Sequence, residues 1–566
     1  MPLFDFDQAE KIGVVQSVDT GTVVVRVTET EQLSMLQVNH MVAIRASMAG
    51  QTLIGMVSKI MRKYGDEADL AEGEDIATAD IVKIILVGTL LDMDGRVPNV
   101  FKRTLESVPS IDAECYRMAD EMLTAFMSVI SGNIARAENP LCIGSYALET
   151  HAKAFLDGNK LFQRHAVIVG STGSGKSYTV AKLLEQIEPL HSCNAVVFDI
   201  HGEYTPLEGD HIHHYKIAGP TDVEGEHTLY LPYWLLTYSE MLSLMLDRSD
   251  DNAPNQAMLF SQAVLKAKRT YLEGQGNEEL LGSFTIDSPI PYRVSEIIRI
   301  LDEENLKMVP GSAGKEKQGP YFGKLTRFIQ RLNAKIQDRR LNFMFSDSES
   351  LFEYSYMKTL CQKLMAPASQ GGGVKILDFS EVPSDILPLI VSLVARLIFS
   401  VQQWVKKEEL QPIALFCDEA HLYVPANARE GVENSSLHSF ERIAKEGRKY
   451  GVGLVVITQR PSEVNHTVLS QSSNFIAMRL TNIDDQNVVK RLLPDSLGNF
   501  SELLPVLDIG EAIIVGDASL LPSRIKIEEP NNKPDSATVK FWDEWSKEDV
   551  PDVIEEAVES LRRQSR

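Results

Sequence analysis

The stretch Gly170-Ser-Thr-Gly-Ser-Gly-Lys-Ser177 decides the fold of this chain. It matches the pattern Gly-x4-Gly-Lys-[Ser/Thr] at every fixed position. The apolar run His165–Val169 comes before it, and Tyr178–Gln186 follows with apolar residues at helical spacing. A strand, a glycine-rich loop and a helix in this order predict a phosphate-binding loop, because glycines let the backbone approach closely and a helix N-terminus attracts anions. A Gly/Ser-rich turn that matches by chance would not explain the flanking strand and helix.

The residues of this loop have predicted tasks in holding a nucleoside triphosphate. The predicted cradle consists of Gly170, Ser171, Thr172, Gly173, Ser174, Gly175, Lys176 and Ser177. We expect Lys176 to reach the β- and γ-phosphates and Ser177 to ligate Mg²⁺. ATP and Mg²⁺ are therefore the predicted cofactors.

Composition limits the class of protein. The 44% hydrophobic and 24% charged residues are typical of a soluble globular protein, and 566 residues leave room for three or four domains. With a net charge of −23, any contact with nucleic acid is expected in a groove or pore rather than over the whole surface. Five scattered cysteines without a Cys-x-x-Cys pair argue against a zinc ribbon and fit a reducing compartment. The first residues lack the basic region of a secretion signal, so we expect a cytoplasmic protein.

The longest apolar stretch, Ile386–Val401, is interrupted by Pro388 and Arg396 and is too short to span a bilayer. We interpret it as a buried helix and expect no association with a membrane. A β-barrel is predicted at the N-terminus, where Lys11–Val18 and Thr22–Thr28 flank a turn as in a hairpin.

The predicted fold class is α/β, with a P-loop ATPase core, a small N-terminal β-barrel and a helical insertion. The acid-rich stretch Asp66–Asp80 is interpreted as a solvated loop. The predicted segments are a barrel (1–95), a connector (96–160), the first part of the core (161–229), the helical insertion (230–370), the second part of the core (371–529) and a C-terminal tail (530–566).

Carboxylates follow two predicted strands of the core. Asp199 and Glu203 come after Asn194–Phe198, at the strand end where open α/β sheets bind ligands. They are candidates for contact with Mg²⁺, water or a pore loop. A turn stabilised by Asp199 and the nearby glycine is an equally good interpretation.

A second carboxylate pair follows the apolar run Pro412–Cys417 and has the form of a Walker B element. Asp418 is expected to hold Mg²⁺ through water, and Glu419 to act as general base for the attacking water. The letters Asp-Glu-Ala-His also occur in two-lobed helicases. Those enzymes place this box much nearer the phosphate loop and carry a Gln/Arg-rich motif that is not found here, so we reject that assignment.

Basic residues gather in the predicted helix Phe440–Tyr450, in an otherwise acidic chain. They are Arg442, Lys445, Arg448 and Lys449. One interpretation is a solvated helix end whose charge suits the helix dipole. The other is an arginine finger for the γ-phosphate of a neighbouring subunit, a contribution of about 10³–10⁵ in rate.

Three further features remain open at this level. Gln459, at the tip of the strand beside the Walker B element, is a candidate phosphate sensor. Arg164, just before the first core strand, is either a surface charge or a γ-phosphate contact from the same subunit. The tail carries Phe541, Trp542 and Trp545, which either dock on another subunit or pack on their own domain.

In this order, the motifs resemble those of the HerA family of hexameric DNA translocases, in a bacterial form, within the HerA/FtsK group of RecA-like ATPases. The motifs are Arg164–Ser177, Asp199-x-His-Gly-Glu-Tyr204, Asp418-Glu-Ala-His421, Lys445–Gly451 and Thr458-Gln-Arg-Pro461. The resemblance implies a homohexamer with ATP at subunit interfaces and double-stranded DNA in a central channel. It also implies Arg448 as the trans finger, with Arg442 as the alternative, Arg164 as a cis phosphate contact, and a C-terminal brace on the next subunit.

HerA-like proteins usually work with a separate effector. The resemblance implies a NurA-like or other nuclease in DNA end processing, or a sirtuin-like NAD-hydrolysing protein in anti-phage defence, docked at the N-terminal barrel. The predicted function is an ATP-driven DNA translocase or helicase. The alternatives are an ATP-responsive hexameric scaffold that activates an effector, and a conjugation-type ATPase at a membrane.

Overall fold

The chain forms two compact units in a computed structural model. Unit 1 comprises Met1–Ile187, Gln459–Ser462 and Ser472–Asn531, and unit 2 comprises Glu188–Thr458, Glu463–Gln471 and Asn532–Arg566. The structure describes residues 3–7, 9–64, 78–95, 97–118, 120–135, 140–147, 151–310, 315–429, 431–492, 502–519, 521–536, 539–548 and 552–563.

Unit 1 begins with an antiparallel barrel. Its strands are β1 (Lys11–Val18), β2 (Thr22–Val27), β3 (Met41–Arg45), β4 (Gln51–Tyr64), β5 (Thr78–Asp94), β6 (Val97–Lys102) and β7 (Glu114–Arg117). The order is β2-β1-β7-β3-β4-β5, and pairing of β2 with β5 closes the ring, while β6 extends β5. Alternate β-branched residues such as Val25, Ile44 and Ile84 point inward and are fully buried. The predicted N-terminal barrel is confirmed.

A second sheet of unit 1 carries the phosphate loop. It contains β8 (Leu141–Tyr146), β9 (Lys153–Leu156), β10 (Ala166–Val169), β19 (Asn474–Ala477), β20 (Glu511–Gly516) and β21 (Ser523–Ile527). The order is β10-β19-β20-β21-β8-β9, parallel between β10 and β19 and antiparallel elsewhere. The helices of unit 1 are α1 (Asp120–Ala135), α2 (Gly158–Gln163), α3 (Lys176–Ile187) and α14 (Ile483–Leu492).

Unit 2 contains a parallel sheet. Its strands are β11 (Ala195–Asp199), β12 (Ile212–Ile217), β13 (Thr228–Leu229), β16 (Val374–Asp378), β17 (Ile413–Cys417) and β18 (Val452–Thr458). They lie in the order β13-β12-β16-β11-β17-β18. The strands β11, β17 and β18 are buried along their whole length, as expected where both faces of a parallel sheet are covered. The apolar helix α11 (Leu387–Trp404) has most of its residues buried. The predicted buried helix is therefore confirmed.

The insertion of unit 2 is helical, as predicted. Its helices are α4 (Tyr238–Met245), α5 (Ala253–Gly274), α6 (Glu278–Leu281), α7 (Val294–Asn305), α8 (Thr326–Gln337), α9 (Asn342–Phe345) and α10 (Tyr356–Met365), with the small hairpin of β14 (Met308–Pro310) and β15 (Glu316–Gln318). The remaining helices of unit 2 are α12 (Val432–Glu446), α13 (His466–Gln471), α15 (Phe541–Trp545) and α16 (Ile554–Arg563).

Two predicted boundaries need correction. The barrel does not end at residue 95, because β7 inserts between β1 and β3 and brings the buried Cys115 into the barrel core. The predicted connector 96–160 also contains β8 and β9, which extend the sheet beyond β21. β7, β8 and β9 each contain polar or glycine residues and do not form continuous apolar runs like β10 and β17, so the sequence alone did not reveal them.

The acid-rich stretch predicted as a solvated loop lies outside the described residues from 66 to 77. Its last residues belong to β5, where Asp80 is buried and paired with Arg62 at 2.6 Å. The tail aromatic residues were predicted either to dock on another subunit or to pack on their own domain. In the structure, Phe541, Trp542 and Trp545 are all exposed. Packing of these aromatic side chains on their own domain is therefore wrong for this chain.

Candidate functional site

The phosphate loop of unit 1 is held in shape by its backbone. The Ser174 carbonyl accepts a hydrogen bond from the Gly510 amide at 2.9 Å, and the Ser171 amide donates to the Arg479 carbonyl at 2.8 Å. Gly175 has a φ of +107°, and a Cβ there would meet Met478 Cε at 3.0 Å. A glycine is therefore required at this position both for its conformation and for space.

Lys176 is the first residue of α3, and it folds back over the loop. Its Nζ lies 3.4 Å from the Ser171 carbonyl oxygen, and the residue is 9% exposed. Ser177 follows in the first turn of the same helix. Ser174 Oγ is buried and has no recorded hydrogen-bond partner among the described residues. A concave loop with a cation, amide donors and an unsatisfied hydroxyl fits a polyphosphate.

The candidate sensor Gln459 reaches this loop. Thr172 Oγ1 donates a hydrogen bond of 2.7 Å to Gln459 Oε1, within unit 1. Gln459 is the residue that immediately follows β18 along the chain. That Gln459 senses phosphate stays a prediction, and its contact with Thr172 of the phosphate loop is consistent with that role.

Carboxylates form the other half of the predicted site, in unit 2. Asp418 and Glu419 directly follow β17 and are 4% and 8% exposed. Burial, and then the charges of Glu419, Glu203 and Asp199, raise the pKa of Asp418 well above its usual range. Buried carboxylates that repel one another are stabilised by a cation, so this cluster favours binding of a divalent ion.

Glu419 is held in an unusual backbone conformation. Its φ is 43°, in the left-handed region that side-chain-bearing residues rarely adopt. Such strain is characteristic of residues whose side chain must point in one direction at an active site. Oε2 of Glu419 lies 3.2 Å from Nδ1 of His421.

Asp199 stabilises a turn, which was one of its two predicted roles. Its carboxylate accepts hydrogen bonds from the amides of Gly202, Glu203 and Tyr204 at 2.8, 3.0 and 2.9 Å. Burial, and the charge of Asp378, nevertheless raise its pKa to about 6. Most of its acceptor capacity serves the turn, and its direct contact with nucleotide stays a prediction.

The oxygen-rich cluster fits Mg²⁺. Tyr204 is fully buried, and its hydroxyl has no recorded hydrogen-bond partner among the described residues. Burial, and then the charges of nearby carboxylates, raise the pKa of Tyr204 well above its usual range; these carboxylates are Asp418, Asp199, Glu203 and Glu419. A water bound to a divalent ion would satisfy this hydroxyl. The described residues hold no group of three or more protein ligands that could bind a metal alone. Such a set is not needed for Mg²⁺, which keeps several waters and takes further ligands from nucleotide phosphates.

The structure separates the two candidate arginine fingers. Arg442 stacks over Phe399 at 5.4 Å, lies 3.3 Å from Gln403 Oε1 and pairs with Glu446 at 3.8 Å. Arg448 lies on a 3₁₀ turn, Gly447–Tyr450, rather than on the predicted helix, which ends at Glu446.

Arg448 is also exposed, and its side chain has no hydrogen bond or ion pair recorded within the described residues. An arginine that serves a neighbouring subunit must be available at the surface, and Arg448 meets this condition better than Arg442 does.

Arg164 is engaged elsewhere in unit 1. Its guanidinium pairs with the carboxylate of Asp517. Contact with a γ-phosphate stays a prediction, and it requires this pair to open.

Sequence reasoning missed Tyr204 and His421 as site residues. Both stand inside quoted motifs, so their position was visible. Their roles depend on burial and distance, which the sequence does not contain.

Comparisons with known proteins place these features in a family. The profile described as "Helicase HerA, central domain" matches residues 141–398, and that described as "Helicase HerA-like C-terminal" matches residues 361–525.

Two curated relatives carry the same family name. The probable DNA double-strand break repair helicase HerA of Methanocaldococcus jannaschii is 25% identical over 74% of this chain and 82% of its own length. The DNA double-strand break repair helicase HerA of Saccharolobus solfataricus is 27% identical over 69% of this chain and 70% of its own. Both organisms are archaea, so the bacterial form of the resemblance is not borne out.

Solved structures also match. The plasmid coupling protein TrwB in complex with ADP and Mg²⁺ is 15% identical, over 72% of this chain and 95% of that chain, with a TM-score of 0.44. VirB4 of Thermoanaerobacter pseudethanolicus is 15% identical, over 69% of this chain and 96% of that chain, with a TM-score of 0.45. Among the described residues, one helix, α11, is long and apolar enough to cross a membrane, and 72% of that span is buried inside the protein.

Proposed function

The chain belongs to the HerA helicase family and is a P-loop ATPase, and on that premise we propose that it is a motor that uses ATP to translocate on or unwind double-stranded DNA. The observation that supports this proposal most is that one chain carries both a preformed phosphate loop, in unit 1, and a buried carboxylate cluster, in unit 2. In P-loop ATPases, these two motifs serve one nucleotide.

We propose the following division of work on ATP. The loop amides and Lys176 hold the β- and γ-phosphates, and Ser177 and Asp418 hold Mg²⁺. When bound, Mg²⁺ neutralises phosphate charge. Glu419 orients the attacking water and accepts its proton, which a buried carboxylate with a fixed backbone can do without reorganising. Gln459 reports the state of the phosphate to β18.

The complete site is proposed to need a second copy of the chain. Arg448 is exposed, with no recorded side-chain partner in the described part of unit 2. A guanidinium from one subunit that stabilises the γ-phosphate of the next would make hydrolysis a property of the ring. We propose a homohexamer, as the family implies.

DNA is proposed to bind inside the ring. The net charge of −23 disfavours binding over the outer surface, because phosphates would be repelled. In this proposal, DNA contacts only the lining of the central channel.

The function is proposed to be DNA end processing together with a separate effector. The curated relatives are named as double-strand break repair helicases, and this supports repair over the defence role considered from sequence. We propose a nuclease as effector and the N-terminal barrel as its docking face.

The decisive experiment measures ATP hydrolysis and strand displacement with blunt double-stranded DNA at low and moderate salt. We expect DNA to increase the ATPase rate and strand displacement to require hydrolysable ATP. Glu419→Gln is the matched control, because it keeps the fold and the phosphate loop.

The scaffold alternative predicts a different result. An ATPase rate that no form of DNA changes, together with full effector activity in a Glu419→Gln ring, would exclude the motor and favour the scaffold. Native mass measurement of the particle, alone and with co-purifying protein, tests the ring and the effector together.

A further inference from the structure

The C-terminal tail is bound to unit 2 by two hydrogen bonds before it reaches its exposed aromatic side chains. Nδ2 of Asn532 donates a hydrogen bond of 2.8 Å to the Glu208 carbonyl. The backbone amide of Asp535 donates one of 2.7 Å to the Glu203 carbonyl. We call residues 532–535 the strap. The strap and both of its acceptors belong to unit 2, so these contacts are made within one compact unit.

The strap runs in the opposite direction to the segment that it borders, residues 203–208. Its first residue bonds to the end of that segment, and its last residue bonds to the beginning. Pro534 of the strap is buried, as is Leu207 of the segment. Proline has a fixed φ and no amide that needs a partner, so it can be buried in an extended segment at little cost. The strap is therefore part of the fold of unit 2 rather than a solvated linker.

The backbone of Glu203 is held on both sides. Its amide donates a hydrogen bond of 3.0 Å to the carboxylate of Asp199, and its carbonyl accepts the hydrogen bond from Asp535. The same carboxylate accepts hydrogen bonds from the amides of Gly202 and Tyr204. Asp199 is fully buried and Asp535 is exposed, so the turn at residues 199–204 is fixed by a carboxylate from the inside and by the strap from the outside.

This turn places two side chains beside the buried carboxylates of unit 2. Burial, and then the charges of Glu419 and Glu203, raise the pKa of Asp418, so Glu203 acts on Asp418. The hydroxyl of Tyr204 is buried there with no recorded hydrogen-bond partner among the described residues. Both groups move with the backbone of the turn. A displacement of about 1 Å at such a distance from the reacting atoms can cost a large factor in rate.

We propose that the strap positions the turn at residues 199–204, so that the C-terminal tail of each chain fixes the geometry of its own carboxylate cluster. This inference rests on the proposed ATPase site and adds Asn532 and Asp535 to it as positioning residues. The tail then has two parts with different tasks, because the exposed aromatic residues of α15 come after the strap and take no part in its hydrogen bonds.

The test removes each hydrogen-bond donor of the strap from the full chain. Asp535→Pro lacks the backbone amide, whereas Asp535→Ala keeps the amide and loses only the side chain. Asn532→Ala removes the side-chain donor. Asn531→Ala is the matched control, because the recorded hydrogen bond of Asn531 in the described part of the chain is donated by its backbone amide, to Glu185.

We expect Asp535→Pro to lower kcat by about 10-fold, the lower end of the range for groups that orient the residues of a metal site. The affinity for a fluorescent ATP analogue should change less than about twofold, because the phosphate loop keeps its residues. Asn532→Ala should lower kcat in the same way but less. Asp535→Ala and Asn531→Ala should keep the kcat of the wild-type chain.

A second readout does not need turnover. Without nucleotide, amide hydrogen exchange at residues 202–204 should be about 3- to 10-fold faster in Asp535→Pro than in the wild-type chain, because one hydrogen bond that closes the turn is lost. Asp535→Ala should exchange like the wild-type chain. Exchange in β17 should not change, and an equal increase there would make the strap a general brace of unit 2 and overturn the proposal.

A double-mutant cycle links the strap to the turn. In an Asp199→Ala chain, which has lost the inner acceptor of the turn, Asp535→Pro should speed exchange at residues 202–204 by less than about twofold. Full additivity of the two substitutions would overturn the proposal. Equal losses of kcat in Asp535→Pro and Asp535→Ala would do the same, as would unchanged exchange in Asp535→Pro. A wild-type chain without ATPase activity overturns the proposed function instead, and the exchange measurements still decide the role of the strap.

Discussion

The phosphate loop of unit 1 and the carboxylate turn of unit 2 contribute to the same proposed reaction but are built by different means. The loop owes its shape to backbone hydrogen bonds and to glycines such as Gly175, whose φ is +107°. The turn owes its properties to buried side chains, with Asp418 and Glu419 placed among other carboxylates. The backbone therefore shapes one half of the proposed site, and buried charged side chains form the other half.

Because the two halves of the proposed site are built differently, they should be sensitive to different substitutions. A backbone cradle tolerates changes in most of its side chains but depends on its single cation, Lys176. A buried carboxylate cluster depends on protonation and on the donors around it, because its charges repel one another. Substitutions should therefore affect binding in the loop and catalysis or pH dependence in the turn.

The largest effect is expected from Lys176→Ala. The loop keeps its shape but loses the charge that faces the β- and γ-phosphates, so both nucleotide binding and hydrolysis should fall below detection. Binding of a fluorescent ATP analogue and release of phosphate measure the two effects. Ser171→Ala, whose loop contacts are made mainly by the backbone, is the control; normal turnover in Lys176→Ala would remove the site assignment.

Arg448→Ala tests whether the two halves suffice without a neighbour. We expect a loss of about 10³-fold or more in turnover, with nucleotide binding kept, since the arginine acts on the transition state of the adjacent subunit. Mixing Arg448→Ala with Lys176→Ala chains should restore some turnover at mixed interfaces. Arg442→Ala is the matched control, and a larger loss there than in Arg448→Ala would reverse the assignment.

Glu419→Gln should separate the two halves most cleanly. Turnover should fall by roughly 10³-fold, because the amide cannot accept the proton of the attacking water. ATP should bind at least as tightly as in the wild-type chain, since one negative charge is removed from the buried cluster. Weaker binding would mean that Glu419 belongs to the nucleotide cradle instead.

Asp199→Asn tests the charge of the turn through stability. Because the folded-state pKa of Asp199 is raised to about 6, the folded chain retains a proton that the unfolded chain releases between about pH 4 and 6. The free energy of unfolding of the wild-type chain therefore falls as the pH rises through this window, by about 3 kcal/mol at most from this group.

The Asp199→Asn variant should lack this fall. Denaturant unfolding at a series of pH values measures it, with the exposed Asp543→Asn as control. A pH dependence identical to that of the wild-type chain would show that Asp199 keeps an ordinary pKa in its turn.

The smallest effect is expected from Gln459→Ala. It breaks the 2.7 Å contact with Thr172 without changing the charge of either half, so turnover should fall about tenfold, equivalent to about 1.4 kcal/mol. Thr172→Val removes the same hydrogen bond from the other side. If Gln459 senses phosphate directly, Gln459→Ala should cost more than Thr172→Val; equal losses would limit its role to shaping the loop.

Much of the fold was predictable from local patterns. The strand before Gly170, the helix after Ser177 and the apolar run before Asp418 all appear where periodicity placed them. The barrel hairpin β1–β2 also appears as its turn predicted. β7 was missed because Glu114-Cys-Tyr-Arg117 is not an apolar run, and it is defined by the two strands on either side of it.

The candidate site was predictable in its residue types but not in its arrangement. Asp199 was left between two interpretations, and three amide donors to its carboxylate favour the turn. Arg442 and Arg448 were alternative candidates for the arginine finger in the sequence. In the structure, Phe399 and Gln403 contact Arg442. These distinctions depend on residues far away in the chain.

The sequence by itself determined the phosphate loop, the Walker B pair and the order of motifs that identifies the family. It could do so because glycine positions and apolar periodicity act on the backbone within a few residues. Only the tertiary structure decided that Glu419 lies against His421, that Tyr204 is buried among carboxylates and that Arg448 stays exposed. The burial of a side chain and the charges around it are set by segments that are distant in the sequence and meet in the fold, so they cannot be predicted from one segment alone.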